Sequence, residues 1–299
     1  MPTVDDPTLI FEQERTRLVR LAYRMLGSFG EAEDVVQDAW LRWRYVDHAG
    51  VSSAGAFLSR TVTRLCLDVM KSARARRETY FGTWLPEPVA MAPDDASGDD
   101  LTLTLMLALE RLSPLERAAF LLHDVFAVPL GEIAATLQRE PPAVRQLAAR
   151  ARRHVQSARP RFPVDREEGT RIAKAFFEAS ATGDVAALRS MLADAVIVHS
   201  DGGGKVHAFP RPIIGIDKVM RMFEGAARKS WIQHAQKLQD LWIDGLPGYF
   251  SLEPGGTLQT VALDIQGGLI VGIYFTRNPD KLERMARLFG GAAGEPMPQ

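Results

Sequence analysis

A chain of 299 residues is longer than one ordinary domain and has room for two or three. Its 46% hydrophobic and 24% charged residues are the proportions of a soluble globular protein. No apolar run approaches the roughly eighteen residues a membrane span needs, so no membrane partner is expected. A formal net charge of −1 excludes a chain that is basic throughout, so any nucleic-acid surface has to be local. The acidic start MPTVDDPTLIFEQER has no apolar signal core, and the single Cys66 can close no internal disulfide. A cytoplasmic setting and a buried, inert thiol are expected.

Residues 7–80 read as helical throughout. FEQERTRLVRLAYRMLG is followed by EAEDVVQDAWLRWRYV and AGAFLSRTVTRLCLDVMKSARARR, with breaks at Gly27 and Gly30 and again at 50–53. Apolar residues recur at three- and four-residue steps, as in Leu58, Val62, Leu65 and Val69. The helix over 31–45 has an apolar face of Val35, Val36, Ala39, Trp40 and Trp43 and turns out Glu33, Asp34, Gln37, Asp38 and Arg42. Such an acidic face is unsuited to DNA and suited to a basic protein surface. No histidine or second carboxylate cluster completes a metal site there, so none is expected. The helix over 54–77 carries six basic residues from position 60 onward and one acid, Asp68. Its outer side offers Arg60, Thr63, Arg64 and Lys71, a surface for phosphates and unstacked bases. A solvated amphipathic helix accounts for that pattern equally well.

Residues 81–100 show neither period and hold three prolines and the acids Asp94, Asp95, Asp99 and Asp100, which predicts an extended linker. Trp84, Pro86 and Pro88 are apolar and stiff and are expected to pack on a folded domain, because an exposed tryptophan leaves a large apolar group in water. A second helical unit follows over 101–160. Ser113-Pro114-Leu115-Glu116 has the form of a capping box, and helices are predicted from Pro114 to about Val125, Leu130 to about Leu137, and about Pro142 to Val155. The last two form a helix-turn-helix pattern. Leu130, Ile133, Ala134 and Leu137 face Val144, Leu147, Ala148 and Ala151, with small alanines allowing a close crossing. The second helix exposes Arg145, Gln146, Arg150, Arg152 and Arg153 with no acid among them, as a major-groove helix requires. An ordinary helical hairpin with a polar face is the competing explanation.

From about residue 165 the pattern becomes α+β. EEGTRIAKAFFEASATG and DVAALRSML read as helices. AVIVHS, KVHAFP, WIQHAQKLQDLWI, YFSLEP, LQTVALDIQ and LIVGIYFTR read as strands of an antiparallel sheet.

GEAEDVVQDAWLRWRY resembles the core-polymerase-binding helix of group IV, or extracytoplasmic-function, RNA polymerase sigma factors. FLSRTVTRLCLDVMKSARARR resembles the helix that reads the −10 element, and residues 109–155 resemble sigma domain 4, whose helix-turn-helix reads the −35 element. WLPEP at 84–88, DGGGK at 201–205 and NPDKL at 278–282 resemble the marks of the subgroup with a SnoaL-like C-terminal extension. The resemblance implies a multidomain fold: two all-α domains, a helical bundle at 7–80 and a helix-turn-helix domain at 101–160, joined by the linker at 81–100. An NTF2-like, SnoaL-like α+β cone occupies 165–290. It implies core RNA polymerase and promoter DNA as partners. Glu33, Asp34, Gln37 and Asp38 would meet polymerase, and Arg60, Thr63, Arg64, Lys71, Arg145, Gln146, Arg150, Arg152 and Arg153 would meet DNA. Regulation would run through Trp84, Pro86, Asp201, Lys205, Asn278 and Asp280. One departure is the start of the last helix, Glu140-Pro141-Pro142, where the family more often has a Ser or Thr cap.

The extension admits three readings: a regulatory domain docking on the sigma domains, a pocket sensing a small-molecule ligand, and a working cyclase or isomerase. Its candidate pocket groups are His199, Asp201, Lys205, His207, His234 and Asp264. No acid–base pair within reach of a substrate is evident, so no catalytic residue and no cofactor are assigned.

Overall fold

The computed structural model describes residues 6–78, 80, 82–91, 102–156, 164–228 and 235–289. The linker acids at 94–100 and His234 lie outside them. The chain divides into two compact units, Met1–Glu78 with Leu105–Ala158, and Thr79–Thr104 with Arg159–Gln299.

The first unit is helical. Helix α1 (Pro7–Leu26) is capped by Asp6, whose carboxylate accepts from Thr8 N at 2.8 Å, and ends at Gly27 in the left-handed conformation. Helix α2 (Phe29–Arg44) is capped by Ser28, and α3 (Ala54–Glu78) spans the predicted range. Their apolar stripes meet in a core of Leu18, Leu21, Met25, Val36, Trp43 and Leu58. The indole of Trp43 donates to Pro7 O at 2.9 Å, which satisfies its one donor inside that core. Cys66 is buried there, and burial pushes its thiol well above the usual range.

The rest of this unit is α4 (Leu103–Glu110), α5 (Pro114–Phe120), α6 (Leu130–Leu137) and α7 (Pro141–Gln156). The Ser113–Glu116 capping box forms as predicted. The helix expected to run to Val125 is α-helical only to Phe120; residues Leu121–Val125 then widen into a π-turn. Arg117 is 1% exposed and joins three segments. Its Nε donates to Leu109 O at 3.0 Å, Nη1 to Met25 O at 2.6 Å, and Nη2 pairs with Glu110.

The second unit is built on one sheet, in the order β1-β4-β5-β6-β7-β2-β3. Its elements are β1 (Ala90–Met91), α8 (Arg166–Thr182), α9 (Val185–Met191), β2 (Leu192–Asp201), β3 (Ile213–Ile214), α10 (Ile216–Arg228), β4 (Gln236–Ile243), β5 (Leu246–Leu252), β6 (Leu258–Gln266), β7 (Leu269–Thr276) and α11 (Pro279–Phe289). The sheet is mixed rather than antiparallel. The meander β4–β7 is antiparallel throughout, but its last strand arrives beside β2 in the same direction. KVHAFP is not a strand. Lys205 N and Val206 N both turn back onto Gly202 O, and the following loop to Pro210 leaves the sheet.

Alternation splits the sheet into two faces. Val196, Val198, Tyr249, Val261, Leu263 and Ile273 face α8, α9 and α10 in the main core with Phe176 and Phe223. Phe250 on the other face packs on Leu282 and Met285 of α11. The sheet is therefore covered on one side by three helices and on the other by α11, with the linker strand β1 at its edge.

Arg117→Ala is expected to lower the stability of the helical unit by about 3 kcal/mol, because Glu110 is left partly buried without its partner. Urea titration followed by hydrogen exchange in α1 and α5 measures it, and Arg117→Lys should recover little, since one ammonium cannot span three segments.

Candidate nucleic-acid interface and linker clasp

Helix α2 presents Glu33, Asp34, Gln37 and Asp38 to solvent in one strip, over a buried side of Val35, Val36, Ala39 and Trp43. The strip continues into Leu41, 43% exposed, and Tyr45, 83% exposed. Sequence reasoning passed over these two. Their i, i+4 spacing from Gln37 was the available signal. Exposed apolar and aromatic side chains beside acids are chemically suited to a protein surface rather than to phosphates.

On α7, Arg145, Gln146 and Arg153 are exposed. Arg150 and Arg152 are tied to their own domain, Arg150 Nε to Glu116 at 2.9 Å and Arg152 Nε to Asp124 at 2.6 Å. At Glu116, burial works to raise the carboxyl pKa, but the bonds from Ser113 and the charge of Arg150 outweigh it and hold the group below its usual range.

The four residues expected on α3 are placed very differently from one another. Thr63 is fully buried, its hydroxyl donating to Ser59 O at 2.7 Å. Arg64 reaches α6, donating from Nε to Thr136 O at 3.1 Å and from Nη2 to Ala135 O at 3.2 Å. Those carbonyls are the unpaired end of α6, where a cation is favoured by the helix dipole. Arg60 is half-buried and lines a small cavity with Arg17, Ser59 and Phe126. Lys71 is exposed and pairs with Asp68 at 2.8 Å.

In the second unit the three short motifs meet at one carboxylate. Asp201, at the end of β2, has no exposed surface. Its Oδ1 accepts from the Tyr80 hydroxyl at 2.5 Å and from Gly203 N at 3.0 Å. Its Oδ2 accepts from Leu85 N at 2.9 Å and from Lys281 Nζ at 2.7 Å. A carboxylate offers about four acceptor sites, and all are used. Lys281 also donates to Leu85 O and sits 4.3 Å from the centre of the Trp84 ring. Asn278 donates to the Tyr80 hydroxyl at 2.9 Å while its Oδ1 accepts from Asp280 N at the start of α11. Burial, followed by the bond to Asp201, pushes the Tyr80 hydroxyl well above its usual pKa, so it stays a donor. The Asp201-Gly-Gly-Gly turn is possible only without side chains: a Cβ on Gly202 would strike Val206 O, and one on Gly203 would strike the Asn278 amide.

Of the residues expected here, Trp84, Asp201 and Asn278 are brought together, and Pro86 is buried. Lys205 and Asp280 pair with each other at 2.6 Å at the exposed rim. The residues missed are Tyr80, Leu85, which is fully buried, and Lys281. Further along, the linker strand β1 pairs with β4, and Val89 and Leu103 bond to Asp244. Thr104 Oγ1 then donates to Asp264 Oδ2 at 3.3 Å. Burial raises the Asp264 carboxyl, partly offset by bonds from Gln266 and Thr104. Asp201, His199 and Asp264 thus sit on the linker side of the sheet and not in the cavity on its other face, where His207 alone of the described candidates lies. Among the described residues no three His, Cys, Asp or Glu gather as a metal site, and no helix is long and apolar enough to cross a membrane.

Residues 10–77 match the Sigma-70 region 2 family and residues 102–155 the Sigma-70 region 4 family. The chain is 34% identical over 290 residues to the ECF RNA polymerase sigma factor SigJ of Mycobacterium tuberculosis, covering 91% of each. It is 30% identical to the probable ECF RNA polymerase sigma factor SigI of the same organism, covering 96% of this chain and 98% of the relative. The crystal structure of M. tuberculosis SigJ superposes with a TM-score of 0.75 at 33% identity, over 91% of this chain and 97% of that one.

Replacing Asp201 by Asn removes the charge opposite Lys281 and is expected to weaken the clasp by about 2 kcal/mol. Exchange of the Leu85 amide, read by hydrogen–deuterium mass spectrometry, should then accelerate about thirtyfold. A rate within about twofold of the parent would show that this carboxylate does not hold the linker.

Proposed function

We propose that this chain, which belongs to the extracytoplasmic-function RNA polymerase sigma factors, is regulated by its own C-terminal domain acting through the linker. As a sigma factor it binds core RNA polymerase and directs promoter recognition and transcription initiation, a non-enzymatic role. On this reading Glu33, Asp34, Gln37 and Asp38, extended by Leu41 and Tyr45, dock on polymerase. Arg60, Arg64 and Lys71 of α3 serve the −10 element; Thr63, expected beside them on the outer side, is fully buried and bonded within its own helix, so it takes no part. Arg145, Gln146 and Arg153 reach the −35 element, with Arg150 and Arg152 at the backbone once Glu116 and Asp124 release them.

The observation that carries the regulatory part is the buried Asp201 carboxylate gathering Tyr80, Leu85 and Lys281. It fixes the stretch of chain that connects residues 6–78 to residues 105–156. While that stretch is held, α3 stays against α6 and Arg64 caps carbonyls instead of phosphates. Release of the clasp frees the connection and lets the two DNA-reading helices part. The three motifs, including the Lys205–Asp280 pair, serve this clasp, though an exposed pair of that kind contributes under about 1 kcal/mol.

Run-off transcription with purified core polymerase tests both parts. Asp201→Asn is expected to raise transcript yield by about fivefold. Joint Glu33→Lys, Asp34→Lys and Asp38→Lys reversal is expected to abolish core-dependent transcript while the protein stays folded. An unchanged yield from Asp201→Asn would sink the regulatory reading, and full activity of the triple reversal would sink the docking assignment.

A further inference from the structure

The C-terminal unit encloses a cavity of about 330 Å³ between the sheet and α10. That is within the lower range of small-molecule sites, about 300–1,000 Å³. Phe209, Met222, Phe223, Ala226 and Phe275 make its walls largely apolar. Its polar groups are few: the hydroxyls of Ser200 and Thr257, the amide of Gln259, the exposed His207 at its rim, and one ion pair, Glu253 with Arg277. Arg277 also donates from Nη1 to His207 O at 2.5 Å.

The ion pair decides the charge of what fits. Glu253 is 8% exposed, and burial raises its carboxyl, an effect Arg277 opposes. An anionic ligand that took Arg277 Nη2 from Glu253 would strand a buried carboxylate, and a cationic ligand that took Glu253 would leave Arg277 without its counter-charge. Each costs several kcal/mol, so the neutralised pair selects against both. Arg277 Nε, buried with no hydrogen-bond partner among the described residues, is open to a neutral acceptor. A neutral molecule meets apolar walls and finds the hydroxyls and the carboxamide for hydrogen bonds.

The cavity is also wired to the clasp by chain continuity. Ser200 precedes Asp201, and Arg277 precedes Asn278. The backbone N–H groups of Arg277 and Asn278 both donate to Asp201 O, at 2.7 and 2.9 Å. His207 and Phe209 end the turn that begins with Gly203. The linker runs along the same loop: a Cβ placed on Gly82 would touch Pro210 Cα at 3.7 Å and Phe209 O at 3.9 Å. Three wall segments of the cavity are therefore the segments that form the clasp.

We infer that this cavity is an effector site for a neutral, largely apolar small molecule bearing one or two hydrogen-bonding groups, and that its occupancy reinforces the clasp on the linker. The closed clasp shapes three walls of the cavity, so a ligand that binds this shape more tightly than the open one stabilises the closed form. The effect on transcription rests on the regulatory reading above; the binding and its effect on the linker do not.

The test uses the full-length chain and two fluorescent probes with one skeleton, neutral N-phenyl-1-naphthylamine and anionic 8-anilino-1-naphthalenesulfonate. The neutral probe is expected to bind one-to-one and the sulfonate at least about tenfold more weakly. Ala226→Phe from the helix side and Thr257→Phe from the sheet side should each fill the cavity and abolish binding, with circular dichroism showing both variants folded. Saturating neutral probe should slow exchange of the Leu85 amide about fivefold, and by reciprocity Tyr80→Phe should weaken probe binding by a similar factor. Equal affinity for the two probes overturns the ligand class. Undiminished binding to the filled variants overturns the site, and unchanged Leu85 exchange at saturation overturns the coupling. None of these readouts involves polymerase, so a failed run-off result leaves them standing.

Discussion

A carboxylate with no exposed surface is stable only if every lone pair is used, and Asp201 is such a group. Two of its donors come from the linker, one from the glycine turn and one from α11. Removing the linker would give two acceptor sites over to water, and removing Lys281 would take away the charge paired with the carboxylate. Residues 80–91 are thereby part of the folded C-terminal unit.

The rest of that unit follows from the same requirement. Chain direction brings β7 beside β2, so that Thr276 ends next to Asp201 and the turn into α11 crosses its backbone oxygen. An antiparallel partner would place the start of β7 there and put α11 at the opposite end of the sheet. The mixed sheet is thus what lets the second and third motifs share one carboxylate. The glycines of the turn serve it too, by letting the backbone N–H of Gly203 approach Oδ1.

Much of the helical half was legible, because its signals are local. The Ser113 capping box, the period of α3 and the small-residue crossing of α6 and α7 all lie within a few turns of chain. What escaped was set by distant partners. Arg117 sits in LERAAF, where nothing separates a buried arginine from a surface one; its acceptor on Met25 is 92 residues away. Tyr80, Leu85 and Lys281 lie 121, 116 and 80 residues from Asp201, so the motifs could be seen but not the residues that join them. Helices α10 and α11 were not expected, although Asn278-Pro279 is a good cap and first turn for α11. The parallel pairing and the loss of KVHAFP as a strand are likewise non-local outcomes.

On the proposed reading, restraint and recognition meet at Arg64 in the first unit. One guanidinium cannot cap the α6 carbonyls and also hold a phosphate. The cap is the weaker claim on it: two hydrogen bonds to neutral carbonyls, on a side chain still largely exposed, contribute on the order of 1–2 kcal/mol. Against DNA, where each neutralised phosphate also releases a counterion, such a contact is easily exchanged. On the same reading, the packing of α3 on α6 is backed by a second restraint on the chain between them, the bonds of the linker to Asp201, whose donors are linker and α11 groups rather than groups of α3 or α6.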